Sequence, residues 1–146
     1  MQEQFEKDKT IGETSESLVM EMIKHKFHHM IKIPGKFSPY DLLGVKGDGS
    51  VVTFEVKMDS EYKNTGNVPI EIGHRGELTG INTSKADYWI IHLEDDGYYM
   101  SPRESLYNFI YWDGDCVMSI YDGQDDKSKL ALVPIGAFKQ QFTKIA

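Results

Sequence analysis

The chain has 146 residues, 40% hydrophobic and 27% charged, the make-up of an ordinary globular protein and a length that supports one compact domain spanning 1–146. Its single cysteine, Cys116, excludes an internal disulfide framework and favours a reducing interior; no apolar run approaches the roughly 20 residues of a bilayer span. Met1-Gln2-Glu3-Gln4 lacks the basic start of a secretion signal, so the expectation is a cytoplasmic protein with no membrane partner.

The net charge of −7 is local. Residues 94–126 carry nine acids against one base, Arg103, a balance of −8; the rest of the chain sums to +1, and residues 127–146 contribute +4 with no acid. One face can therefore repel phosphate while another accepts it.

In chain order, residues from about Thr10 to Ile31 show helical spacing, with Ile11, Leu18, Val19, Met22, Ile23, Met30 and Ile31 on one side, and Pro34-Gly35 as the stop. Tyr40–Lys46 and Ser50–Met58 read as strands about the turn Gly47-Asp48-Gly49. A polar stretch, 59–66, leads to a third strand, Asn67–Ile72, with Val68, Ile70 and Ile72 inward. Gly73 to Gly80 is a glycine-punctuated loop, and Ala86–Leu93 is a continuous apolar run suited to a central strand covered on both faces. After Tyr98–Met100 a helix is expected with Ser101 as N-cap, Pro102 at N1 and Glu104 at N3. Strands Cys116–Tyr121 and Leu130–Pro134 and a helix near Ile135–Phe142 complete an α/β chain with a central mixed sheet flanked by helices.

Asp41, Glu55 and Lys57 carry the chemistry. Glu55 and Lys57 are two apart on a strand and leave one face, opposite the apolar Val52, Phe54 and Val56. If the hairpin turn has three residues, Lys46 pairs with Ser50 and Asp41 falls across from Glu55, with Cβ atoms roughly 5 Å apart. A two-residue turn shifts the register by one and sends Asp41 to the wrong face. Two carboxylates that close repel unless a cation lies between them, and oxygen-only ligands with open positions suit Mg2+ or Mn2+. A neighbouring lysine can orient or deprotonate the attacking water in phosphodiester hydrolysis.

Pro39-Tyr40-Asp41, followed fourteen residues on by Glu55-Val56-Lys57, resembles the signature of the PD-(D/E)XK nuclease superfamily, with Tyr40 as an extra residue between Pro and Asp. Gly12-Glu13-Thr14-Ser15-Glu16-Ser17-Leu18-Val19 is similar to the G-x-x-x-E opening of archaeal-type Holliday junction resolvases, whose helix glutamate joins the metal site; by that match it is Glu16. At 100° per residue Glu16 lies about 70° from the centre of the apolar stripe and Glu13 about 130° away, in agreement. Residues 65–71 and 76–90 also look like small phage-type nucleases of the same superfamily, so the likeness covers roughly residues 10–93. The long helix that usually follows the E-x-K strand in archaeal resolvases is replaced by the polar stretch 59–66, a third strand and a short segment near Thr79–Ser84.

The resemblance implies a restriction-endonuclease-like core in α-β-β-β-α-β order and a Mg2+- or Mn2+-dependent endonuclease acting on branched or duplex DNA. Its leading form is cleavage of four-way junctions in DNA recombination and repair, by a homodimer whose twofold symmetry matches the junction. Glu16, Asp41, Glu55 and Lys57 would be catalytic. Asp41, Glu55 and Glu16 would be metal ligands, with Glu71 a fourth if its strand neighbours that of Glu55. Lys63, Asn64, His74, Arg75, Thr79, Thr83 and Lys85 carry basic, amide and hydroxyl groups suited to phosphate oxygens, with Gly73, Gly76 and Gly80 permitting close backbone approach. The alternatives are a catalytically silent DNA-binding protein, an acidic interaction module using residues 94–126, and a restriction-like or nicking nuclease without junction selectivity. His25, His28 and His29 read as a solvated polar face, Cys116 as core, and Tyr107, Phe109, Ile110, Tyr111 and Trp112 as core packing, part of which can serve a homodimer surface.

Overall fold

The computed structural model describes residues 15–34, 39–113, 116–123 and 126–146. Residues 15–23 form helix α1, which buries Val19 and Ile23, and a single 3-10 turn, Lys24–Lys26, follows. The helix does not continue to Ile31. Phe27 is extended (φ −125°, ψ 151°), and His29–Lys32 is a strand, β1, paired antiparallel with β2 (Leu42–Val45). The reason is tertiary. Gly44 leaves room for the Phe27 ring, whose atoms would lie 2.7 Å from any Cβ placed there. Ladder hydrogen bonds to β2 then outweigh a further helical turn, with Met30 buried against α1 and Ile31 42% exposed. His25, His28 and His29 are exposed as expected, though not on one helix face.

β2 and β3 (Val51–Asp59) form the expected hairpin. Pairs run from Leu42↔Phe54 to Val45↔Val51, and the Lys46 amide donates to Ser50 O at 2.8 Å, closing a three-residue turn. Gly49 takes φ +87°, and the Asp48 carboxylate accepts from the Ser50 amide (2.9 Å) and hydroxyl (2.6 Å), so both residues have a local reason.

The six-stranded sheet has the order β1-β2-β3-β6-β7-β10, with β6 (Tyr88–Leu93) parallel to β3 and every other pair antiparallel. Here β7 is Gly97–Pro102 and β10 is Thr143–Lys144. Between β3 and β6 lie a short helix, α2 (Tyr62–Thr65), and strands β4 (Asn67–His74) and β5 (Glu77–Leu78). β4 does not join the Glu55 sheet. It pairs with β9 (Asp126–Pro134), and a second sheet forms in the order β5-β4-β9-β8, β8 being Val117–Gly123.

Burial explains the layering. Ile90 faces α1 together with Met30, Leu42, Phe54 and Val56; Trp89, Ile91 and Leu93 face the second sheet's Val68, Ile70, Ile72, Ala131 and Val133. β6 is thus the strand covered on both faces, and each of its large side chains contributes roughly 1.5–3 kcal/mol on burial. Helices α3 (Arg103–Asn108) and α4 (Ile135–Gln141) close the same core through Leu106 and Phe138.

The capping box at Ser101 is not formed. Ser101 ends inside β7, buried, where its hydroxyl donates to Pro102 O (3.0 Å) and accepts from Gln141 Nε2 (3.1 Å); α3 starts after Pro102 with no side-chain cap. Cys116 is half-buried, its thiol 3.4 Å from Ile110 O. Among the described residues, three acids of the 94–126 segment meet bases from outside it, Glu94 and Asp95 through Lys63 and Asp96 through two C-terminal lysines. Asp96 accepts from Tyr99 Oη (2.7 Å) and pairs with Lys139 (2.8 Å) and Lys144 (3.6 Å), so part of the basic C-terminal stretch neutralises that acidic turn. Among the described residues no helix is long and apolar enough to cross a membrane.

Candidate active site

Asp41 stands at the mouth of the hairpin. Its amide donates to Phe54 O (2.9 Å), its carbonyl accepts from the Ile33 amide (2.8 Å), and its Oδ2 accepts from the Val56 amide (2.8 Å). The regular ladder stops at Leu42–Phe54, so Asp41 enters as an irregular position and not as the direct ladder partner of Glu55. Its carboxylate lies close enough to Glu55 for its charge to raise the Glu55 carboxyl.

Glu55 projects from β3 with its side chain only 17% exposed. Burial, opposed by the Lys57 ammonium and reinforced by Asp41 and Glu16, pushes its carboxyl up to about 7. Lys57, two residues on and on the same face, places Nζ 3.4 Å from Glu55 Oε1 while remaining 51% exposed. Burial also raises the Asp41 carboxyl, against the Val56 hydrogen bond and the charges of Lys57 and Lys32. Asp59 shares this face, but its oxygens accept from the Glu61 (3.2 Å) and Tyr62 (3.0 Å) amides just before and at the start of α2.

Glu16 comes from α1, as the helix geometry requires; Glu13 lies outside the described residues. The Glu16 Oε2 is 3.7 Å from Lys32 Nζ. Lys32 is the residue that the sequence reading misses. Its signal is lost when the helix is run to Ile31; as the last residue of β1, paired with Leu42, it falls beside Asp41. Glu16, Asp41 and Lys57 therefore all act on the Glu55 carboxyl through their charge, and a second lysine, Lys32, acts on Glu16 and Asp41.

Glu71 is not among them. β4 belongs to the second sheet, where Glu71 pairs with Leu130 and is exposed, so the condition for its joining the cluster fails. Gly80 (φ +60°) owes its identity to the same strand, since a Cβ there would sit 2.0 Å from the Glu71 carbonyl oxygen. Gly76 (φ +81°) makes the β4–β5 turn. Close approach at these glycines thus has internal causes.

The expected phosphate contacts scatter. Lys63, on α2, is engaged by Glu94 (3.2 Å) and Asp95. Asn64 is exposed one residue on. His74 and Arg75 lie at the end of β4 and in the turn after it, with His74 Nδ1 3.0 Å from Ser128 Oγ and Arg75 at φ 50°. The Thr79 hydroxyl is buried with no hydrogen-bond partner among the described residues, and Thr83 Oγ1 is 3.5 Å from Gly80 O. Lys85 is exposed, and its amide donates to Pro39 O (3.2 Å), which ties its backbone to the segment just before Asp41.

Among the described residues no three His, Cys, Asp or Glu side chains already converge as a ligand set. The donor chemistry nevertheless fits a hard divalent ion. Asp41 and Glu55 are oxygen donors, both raised by burial, and a cation between them relieves their repulsion. Glu16 could join on leaving Lys32.

No protein-family model matches the sequence, and no curated protein matches it. Among solved structures the chain is similar to a bacterial homing endonuclease, I-Ssp6803I, at 18% identity and a TM-score of 0.53, covering 86% of this chain and 77% of that one. It is also similar to Hjc, a Holliday junction resolvase from the archaeal hyperthermophile Archaeoglobus fulgidus, at 16% identity and a TM-score of 0.52, covering 92% of each. At these identities the likeness is one of backbone, and what it shows is a restriction-endonuclease-like nuclease fold.

Proposed function

We propose that this chain forms one nuclease domain and is a metal-dependent DNA endonuclease that cuts four-way junctions. The observation that carries the reading is the buried Glu55, paired with Lys57 and close enough to Asp41 and Glu16 for their charges to help hold its carboxyl near 7. A fold shared with a homing endonuclease and a junction resolvase supports it.

Asp41 and Glu55 would hold Mg2+ or Mn2+, joined by Glu16. The ion, when bound, lowers the cost of charge building on the phosphate and on the attacking oxygen. Lys57, exposed beside Glu55, orients the water with its ammonium, and the water's proton passes to solvent. The water oxygen forms the new bond to phosphorus, the bond to the 3′ oxygen breaks, and a 5′-phosphate remains. Asn64, Arg75, Thr83 and Lys85 supply phosphate contacts that position the duplex without reading its bases. Cutting paired strands of a junction requires two sites, and Trp112, 78% exposed beside Tyr111, offers an apolar surface to a second copy.

The test is incubation of labelled four-way junction and matched linear duplex with tenfold steps of Mg2+ or Mn2+, beside Glu55→Ala. Metal-dependent cuts in the junction, absent in the variant, support the proposal. Equal cutting of both substrates removes the junction role and keeps the chemistry. Junction binding without any cutting favours a silent DNA-binding protein, a reading in line with the lysine partners that occupy Glu16 and Glu55.

A further inference from the structure

We propose that Lys32 is a positioning residue of this site, a built-in counter-cation that steadies Glu16 and Asp41 when no metal ion is present and gives way when one binds. The inference rests on reading the carboxylate cluster as a metal centre.

The chain fixes Lys32 from two sides. It ends β1 in register with Leu42, and the next residue, Ile33, donates its amide to Asp41 O at 2.8 Å, so the end of β1 is tied to the residue that carries the carboxylate. Its ammonium reaches the other way, to Glu16 on α1 at 3.7 Å. Lys32 thereby links two elements, α1 and β2, that contribute carboxylates to one site. Its charge also acts on Asp41, holding that carboxyl down against burial. On the far side Lys57 engages Glu55 at 3.4 Å. Three carboxylates are thus bracketed by two lysines, and the fully ionised group sums to −1.

A divalent ion entering between Asp41 and Glu55 meets the Lys32 charge as a repulsion and meets Lys32 as a rival for Glu16. With the Lys32 side chain 36% and the Glu16 side chain 22% exposed, the competition is less screened than at an open surface pair. Lys32 therefore weakens metal binding while stabilising the metal-free protein. A residue that only supports the fold does the second without the first.

The experiment is calorimetric titration of Mn2+ into the full chain at pH 8 for the wild type, Lys32→Met, Lys32→Arg and Asp41→Asn. The expected result is about tenfold tighter Mn2+ binding in Lys32→Met, the scale of one charge removed at close range, and wild-type affinity in Lys32→Arg. Melting in EDTA should show Lys32→Met below the wild type, with the deficit vanishing in saturating Mn2+. Should the Met variant fail to fold, Lys32→Gln replaces it. Unchanged or weaker Mn2+ affinity in the charge-removed variant, with binding still lost in Asp41→Asn, overturns the role of Lys32 alone. Absence of Mn2+ binding by the wild type overturns the metal centre, and the inference with it.

Discussion

Replacing Glu55 by Gln should make the metal-free protein more stable at pH 8, because the native carboxylate is held where ionisation is costly. Its carboxyl rises from an ordinary 4.5 to about 7 on folding, chiefly through burial and then through Asp41 and Glu16, with Lys57 opposing. Each tenfold change in proton affinity corresponds to about 1.4 kcal/mol, so ionising Glu55 in the folded state costs on the order of 3 kcal/mol. The folded protein binds this proton more tightly than the unfolded chain does. Stability from Glu55 is therefore fully present below about pH 4.5 and is lost as pH rises through about 7. Gln mimics the protonated form at every pH. The assay is urea unfolding of wild type and Glu55→Gln in EDTA at pH 5 and pH 8. Near-equal stability is expected at pH 5, with the variant ahead by on the order of 3 kcal/mol at pH 8. Adding Mn2+ at pH 8 should restore the wild type and leave the variant unmoved. A stability difference that is the same at both pH values, or that favours the wild type as pH rises, refutes the reasoning.

Lys57→Ala should abolish DNA cleavage in single-turnover assays while junction affinity, measured by gel shift, stays within a few-fold; a near-wild-type rate removes Lys57 from the chemistry. Asp87→Ala should destabilise the protein by roughly 1–3 kcal/mol, because Asp87 Oδ2 accepts from both the Thr53 amide (2.9 Å) and hydroxyl (3.1 Å). Denaturant unfolding reads this, and a change within experimental error contradicts that account of how β3 is anchored. Gly80→Ala should cost more than about 3 kcal/mol or leave the protein insoluble, since φ +60° and the Glu71 carbonyl both oppose a side chain. A soluble variant melting with the wild type would show that the close approach is not required.

Local chemistry made the hairpin legible. Gly47-Asp48-Gly49 between two alternating runs specifies a turn, and the register that follows places Glu55 and Lys57 together. The apolar run at Tyr88–Leu93 and the Val68/Ile70/Ile72 face were legible for the same reason, since burial imposes its period directly on the sequence. Residues 24–32 were not. Met30 and Ile31 satisfy both a helical stripe and an edge strand, and the deciding contact, Phe27 over Gly44, joins positions distant in the chain. That ambiguity hid Lys32. The sheet to which β4 belongs was equally illegible, because its partner β9 lies some sixty residues on, and Glu71 followed its strand away from the carboxylates. Ser101 carries a capping signature that tertiary burial against Gln141 overrides.

The proposed chemistry is phosphodiester hydrolysis by Asp41, Glu55 and Lys57 with the help of a divalent ion. Its most direct test is to incubate the chain with labelled four-way junction and Mg2+ or Mn2+, then ask whether the cut ends ligate. Metal-dependent cleavage leaving a 5′-phosphate that DNA ligase can seal, lost in Asp41→Asn and Glu55→Gln, is the predicted result. Intact DNA at every metal concentration, or cleavage that survives both substitutions, would contradict it.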